Sequence, residues 1–569
     1  MKSPVPRRHL GTEILFPGLL LLGLLFSLVH WFWQELWPGW QEVPPDFSTP
    51  TVVVGTEVYP GRALLRSGEP LLDLALIRER LYPHVHWDPQ LQTAVITTGD
   101  QVVKLRTGSL TAWVNEQPLK LPFPAELRAG RVYLPLPPLA SLLGVRYQVV
   151  PSTRRVLVDP VGSAQLPLTV SREQTVLRTL PSLRGAVVAR LTRGDRLWAT
   201  QEERGWFLAR SSLGVVGYVH ESAVVVGSPV VVTAPEPVAP PVARTWFPPG
   251  TRVVLVWEHV QRSTPAPADL DPLPGVNVVS PTWFHLGDAQ GNLTNHADLR
   301  YVQWAHEQGY QVWALFSNRF SPELTHAFLS SLAARTRAIK QLLALSALYD
   351  LDGINLDFEN VYLQDRELLV QFVRELVPLA HEQGLVVSVD VTVKSNSPNW
   401  SLVYDRAQLA AAADYVILMA YDEHGYAGSP VGPVASLPWV EQGILGLLAE
   451  VPRHKLILGI PFYTRIWQEE RQPDGSVKVS SRAVGMAAAE EFVAAKGLEV
   501  QWDPTAGQYV ARGTEGNVTY TIWLEDEQAL RARVNLVSKY GLAGIAAWRR
   551  GFETPSTWQL IQRELHRRP

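Results

Sequence analysis

The stretch Asp352-Gly353-Ile354-Asn355-Leu356-Asp357-Phe358-Glu359 decides the fold of the C-terminal half of this chain. Side chains alternate along a strand, so Asn355, Asp357 and Glu359 share one face while Ile354, Leu356 and Phe358 share the other. Amphipathic stretches flank it, Pro322 to Leu348 before and Arg366 to Gln383 after. Strands separated by helices imply a parallel sheet covered on both faces. In such an interior, carboxylates two residues apart repel each other unless one takes up a proton, and a protonated Glu beside an ionised Asp is what a general acid needs. The competing reading is a solvated edge strand that is merely acidic, and the Ile, Leu and Phe of the outward face argue against it.

Outward from this stretch, apolar runs recur at Val253 to Trp257, Val276 to Ser280, Val312 to Phe316, Gly353 to Glu359, Val386 to Asp390, Tyr415 to Tyr421, Leu456 to Tyr463 and Gly544 to Trp548. Eight runs with helical patterns between most of them predict a (β/α)8 barrel, whose chemistry sits at the strand C-termini. Glu359 ends the fourth run, Asp390 the fifth, Met419, Tyr421 and Asp422 the sixth, Tyr463 the seventh and Trp548 the eighth. The segment from about 465 to 540 is too long for a simple connection, and its alternating runs around Trp502, Tyr509 and Trp523 predict an inserted α+β element walling the cleft.

Through Asp-Gly-x-x-x-Asp-x-Glu at 352 to 359, Met-Ala-Tyr-Asp at 419 to 422 and Trp548, residues 247 to 569 resemble glycoside hydrolase family 18, the chitinases and related N-acetylglucosaminidases. Leu351 to Val361, Gly425 to Gly428 and Tyr540 to Gly544 are most similar to its spore-cortex and peptidoglycan-acting members. The resemblance implies retaining, substrate-assisted catalysis, in which no carboxylate nucleophile takes part. It assigns Glu359, Asp357, Tyr421, Asn355 and Asp352 to the catalytic set, with Glu359 as acid/base, Asp357 orienting the acetamido N–H and Tyr421 holding the acetamido oxygen. Trp548, Asp422, Met419, Tyr463 and Asp390 are the implied substrate contacts. The chain departs from the pattern at Asn355, where chitinases carry Asp; an amide can donate and accept but cannot share a proton. The implied substrate is an N-acetylglucosamine linkage in peptidoglycan or cortex, with chitin or another N-acetylated glycan as the alternative. A barrel that binds glycans without cleaving them is the alternative of another class. No metal or organic cofactor is required.

Upstream, residues 46–162 contain a repeat in which Leu72, Leu74, Leu81, Val85, Pro89 and Val95 recur as Leu134, Leu136, Leu143, Tyr147, Pro151 and Leu157. Each half reads as a short helix, a strand, a turn carrying Pro and a second strand. This α+β segment resembles the copper amine oxidase N-terminal-like domain, a non-catalytic appendage, so no copper is inferred. His84 and His86 alternate like a metal pair but lack a third ligand. Residues 163–228 carry short β runs and a Gly-Asp turn followed by Gly205-Trp-Phe, and resemble a bacterial Src-homology-3-like domain, a small β-barrel; Trp206 is either a wall-binding platform or a core aromatic. Residues 229–246 are a Pro-rich spacer.

The 569 residues predict about three or four domains, and a net charge of -3 gives no electrostatic case for a nucleic-acid partner. The absence of Cys excludes disulfides and thiol chemistry. In residues 1–45, Lys2, Arg7 and Arg8 precede the apolar run Ile14 to Trp33, long enough at about 1.5 Å per residue to cross roughly 30 Å of hydrocarbon. Trp31, Trp33, Trp37 and Trp40 follow like an interfacial belt. These features predict an uncleaved single-pass anchor with a cytoplasmic N-terminus and an extracytoplasmic catalytic domain at a bacterial cell membrane.

Overall fold

The computed structural model describes residues 25–31, 41–234, 246–248, 250–425 and 429–566. They fall into two compact units, the first built from segments within residues 1–85, 104–113 and 117–240 and the second from 86–103, 114–116 and 241–569. This division does not follow the expected boundary at 46–162. Within the second unit, Asp88 accepts from the Leu332 backbone N–H at 3.1 Å, Lys340 pairs with Glu116 at 2.7 Å and Asn115 donates to Glu382 at 2.8 Å. The residues around 88 and 115 are therefore bonded to barrel helices.

In the first unit, Thr51–Val54 pairs in parallel with Arg155–Pro160, and Glu69–Asp73 pairs antiparallel with Arg131–Pro135. The two halves of the repeat thus interlock. Residues 164–226 form an antiparallel sheet around a core of Leu168, Leu177, Leu197, Phe207 and Val219. Trp206 is only 8% exposed and meets His220 edge-on at 5.0 Å, so it is an aromatic of the fold and not an open platform.

The expected membrane span at Ile14 to Trp33 lies mostly outside the described residues, of which 25–31 are helical. Among the described residues no helix is long and apolar enough to cross a membrane.

The second unit holds the barrel: β1 (Val253–Glu258), β2 (Val278–Pro281), β3 (Gln311–Ser317), β4 (Gly353–Asp357), β5 (Val386–Thr392), β6 (Tyr415–Met419), β7 (Leu456–Pro461) and β8 (Gly544–Trp548). Neighbours pair in parallel, β8 pairs with β1, and β2 pairs with β3, so the sheet closes on itself. Ile354, Leu356 and Phe358 pack outward against Phe316, Phe328, Phe372 and Val373, while the barrel interior holds Leu255, Trp257, Trp313, Leu315 and Ile417. The alternation read from sequence therefore separates helix-facing from lumen-facing side chains.

The entry to β4 explains half of the opening motif. Helix Leu332–Tyr349 starts at Ser331, whose hydroxyl caps the Ala334 N–H, and ends at Asp350, which takes the left-handed conformation (φ 56°). Asp352 then accepts from the Val312 backbone N–H at 2.8 Å and bonds His306 Nε2 at 2.9 Å. Gly353 follows because a Cβ there would lie 2.7 Å from the Trp313 ring and 2.9 Å from the Val386 carbonyl oxygen. Asp352 sits at the opening of the strand, on the face away from Glu359, and at about 3.3 Å per residue cannot reach the chemistry. Its placement in the catalytic set is corrected: it is a positioning residue for the strand's register.

The expected insertion between the seventh and eighth strands is a five-stranded antiparallel sheet from Tyr463–Arg471 to Val518–Trp523 with helix Met486–Lys496 across it. It ends before 540, because Glu527–Tyr540 is a barrel helix contacting β8 and the C-terminal helix Thr557–His566.

Candidate active site

Asp357 ends β4, and Glu359 stands two residues beyond it at the C-terminal mouth of the barrel. Both are partly open to the mouth, whereas Asn355 beneath them is fully buried. Burial pushes the Asp357 carboxyl up to about 7. Glu359 is held well above the ordinary carboxylate range, by burial first and then by the negative charges of Asp357, Asp422 and Asp390. Among the described residues no Arg or Lys pairs with either carboxylate, so no described cation offsets the cost of ionising them there. Asp357 Oδ1 is buried and accepts no hydrogen bond from the protein. The pair is thus a proton-bearing acid beside an acceptor with a lone pair to spare.

Asn318, at the end of β3, fixes Glu359 through its backbone: its side-chain amide donates to the Glu359 carbonyl at 2.7 Å, and its oxygen accepts from the Glu359 N–H at 3.1 Å. Tyr404 donates its hydroxyl to the Phe358 carbonyl at 2.9 Å from the other side. Neither residue is evident from the strand pattern. Asn318 had one available signal, as the second of two polar residues after an apolar run.

Asn355 is saturated. Its oxygen accepts from Trp257 Nε1 at 2.9 Å and Ser280 Oγ at 3.2 Å, and its nitrogen donates to Ser388 Oγ at 3.0 Å and Asp390 Oδ1 at 2.7 Å. The indole can only donate, which fixes the orientation of the amide. Asn355 makes no bond to Asp357 and is not exposed, so it does not touch the reacting atoms; it is a positioning residue, correcting its place in the catalytic set. Asp390, 1% exposed, is likewise a support below the mouth and not a substrate contact. Burial and Asp357 raise its carboxyl well above the usual range, and the Asn355 bond acts in the opposite direction. Met419, buried on β6, also lies under the surface of the mouth.

The remaining predicted residues gather around the pair. Tyr421, following β6, meets Tyr463 edge-on at 6.2 Å. Tyr463, at the start of the insertion, donates to Asp422 Oδ1 at 2.5 Å. Asp422 sits at φ 62°, a conformation Asp tolerates better than most residues. Trp548 ends β8 and packs 5.9 Å from both Trp257 and His259, leaving part of its indole at the mouth. Among the described residues no group of three or more His, Asp or Glu side chains converges as a metal site.

A closed parallel barrel with an uncompensated Asp-x-Glu pair at its C-terminal mouth, flanked by a Tyr and an indole, defines the class as a glycosidase domain. Residues 289–553 match the family model Glycosyl hydrolases family 18. Residues 52–158 match the Copper amine oxidase N-terminal domain. The putative sporulation-specific glycosylase YdhD of Bacillus subtilis (strain 168) is 30% identical over 249 residues, 43% of this chain and 58% of that protein. The cortical fragment-lytic enzyme of the same organism is 30% identical over 251 residues, 43% of this chain and 57% of that protein. The chain therefore spans little more than half the length of these two curated relatives. The crystal structure of the spore cortex-lytic enzyme SleL of Bacillus megaterium aligns with a TM-score of 0.50 at 22% identity, covering 58% of this chain and 79% of that one, and shares the fold.

Proposed function

We propose that this protein is a membrane-tethered glycosidase that cleaves N-acetylglucosamine linkages in bacterial peptidoglycan, including spore cortex, with retention and with the substrate's acetamido group as nucleophile. The observation that carries this reading is the pairing of Glu359, held protonated by burial and three neighbouring carboxylates, with Asp357, whose buried Oδ1 has no partner. An acetamido N–H on a bound sugar would supply that partner.

In the forward step the acetamido oxygen attacks the anomeric carbon, the glycosidic C–O bond breaks, and the Glu359 proton passes to the departing oxygen. Asp357 accepts the acetamido N–H and stabilises the positive charge of the oxazolinium ion as it develops. Water then adds to the anomeric carbon and returns its proton to Glu359, and two inversions leave the configuration retained. Tyr421 holds the acetamido oxygen in line, and the Trp548 indole forms the apolar floor. The names of the relatives, a cortical fragment-lytic enzyme and a sporulation-specific glycosylase, support peptidoglycan as the glycan. The apolar run at Ile14 to Trp33 supports the tether, and the Src-homology-3-like segment supports contact with the wall.

The test uses the full chain in detergent, with Glu359→Gln as control. The wild type should release reducing ends from peptidoglycan or cortex fragments well above the variant, and mass spectrometry of the products should show N-acetylglucosamine at the new reducing end. Release equal to the variant's from peptidoglycan, cortex and chitin oligomers alike would overturn the reading.

A further inference from the structure

On the β1–β2–β3 side of the mouth, a group of basic side chains lies next to the acid pair and takes no part in the chemistry above. His285 stands beside Ser317 across the sheet and bonds its hydroxyl at 2.7 Å; Ser317 in turn is the register partner of Asp357. His296 lies against His285 with ring centres 5.8 Å apart. His259 follows β1, packs on Trp548 and has a buried Nδ1 with no partner. Arg319 follows Asn318, the clamp on Glu359; it is exposed, and among the described residues its guanidinium makes no ion pair or hydrogen bond.

What this group lacks is a counter-charge. His285 is pushed down to about 4, by burial first and then by His296, Arg319 and His259. Outside the acid pair, the carboxylates Glu258 and Glu553 are already faced by cations, Glu258 by Arg550 at 3.5 Å and by Arg549, and Glu553 by Arg549. A neutral glycan such as chitin would leave Arg319 and the imidazoles facing water. Peptidoglycan is an N-acetylated glycan that carries carboxylates, on the lactyl ether of muramic acid or at the end of its peptide stem.

We propose that the rim formed by His259, His285, His296 and Arg319 is an anion subsite that receives a carboxylate borne by the glycan near the cleaved bond. The subsite rests on the glycosidase reading and adds a reason for the enzyme to prefer peptidoglycan over chitin. Arg319 supplies the charge, and the imidazoles supply N–H donors whose protonation a bound anion would favour.

The experiment measures binding to the full-length Glu359→Gln protein, with and without Arg319→Ala, so that turnover plays no part. Four oligosaccharides of equal length serve as probes: a peptide-free peptidoglycan oligomer, the same oligomer with its carboxylates amidated, a stem-bearing oligomer and a chitin oligomer. The unsubstituted carboxylate oligomer should bind about tenfold more tightly than its amidated form, and Arg319→Ala should abolish that ratio. Arg319→Lys should keep most of it, and added salt should shrink it. A ratio confined to the stem-bearing oligomer would assign the carboxylate to the stem. Equal losses on all four probes, no loss on any, or no binding of any probe would overturn the subsite. Failure of the wild type to cleave any probe while the ratio persists would instead overturn the glycosidase reading alone.

Discussion

Two regions of the barrel bury carboxylates in opposite ways. Between helices Leu332–Tyr349 and Arg366–Glu382, Glu375 meets Arg335 in a two-pronged pair at 2.9 and 3.0 Å, with Gln371 donating at 3.0 Å, and both charges are shielded from water. At the mouth, Asp357 and Glu359 are pocketed with no cation paired to them among the described residues, and Asp390 and Asp422 add to the repulsion on Glu359. The first arrangement satisfies its charges and does nothing else. The second keeps a proton where the ordinary carboxylate would lose it. An uncompensated buried carboxylate marks chemistry, and a compensated one marks architecture.

Removing the acid should give the largest effect. Glu359→Gln is expected to lower kcat by about three orders of magnitude while leaving the melting temperature unchanged or higher, checked by product release and calorimetry. Glu375→Gln should invert that pattern. It leaves Arg335 buried without its counter-charge, costs about 3–5 kcal/mol of stability by denaturant titration, and leaves the specific activity of the folded fraction close to wild type.

The pH dependence sharpens the same contrast. Burial pushes the Asp357 carboxyl from about 4 in the unfolded chain up to about 7 in the folded one, so the folded state binds more protons between those values. Its contribution to stability is fully present below about pH 4 and is lost as pH rises through about 7. Asp357→Asn should therefore raise the melting temperature at pH 8 by roughly a few degrees and leave it little changed at pH 4, while activity falls by at least about a hundredfold. Because Glu359 must carry its proton, the alkaline limb of the wild-type rate profile should lie well above the ordinary carboxylate range. The smallest effect is expected for Asn318→Ala, about a tenfold loss in kcat with little change in KM, because the acid loses the clamp on its backbone and not its proton.

Much of the barrel was legible because its strands lie in eight predominantly apolar runs, read in the sequence as ending in a polar or aromatic residue. The alternation in 353–358 sorted Ile354, Leu356 and Phe358 to the helices, as the structure has them. It could not separate the two ends of the motif. Asp352 and Glu359 belong to one eight-residue motif, yet one fixes the register at the strand's entry and the other stands at the mouth. Periodicity also gives depth poorly. Asn355 and Asp390 face the lumen as expected, but Trp257, Ser280, Ser388 and Asp390 together take up all of Asn355's hydrogen bonds, and both residues are buried beneath the mouth. Asn318 and Tyr404 act through backbone atoms of Glu359 and Phe358, contacts between distant strands and loops that no local pattern encodes.

The central claim is that the sugar's own acetamido group, held by Asp357, is the nucleophile activated against the Glu359 proton. The most direct test compares a glycan oligomer with its fully de-N-acetylated counterpart of equal length as substrates for the wild-type protein. The account predicts cleavage of the acetylated oligomer and none measurable of the amine form, with the initial product retaining the anomeric configuration by NMR. Comparable cleavage of both, or an inverted first product, would contradict it.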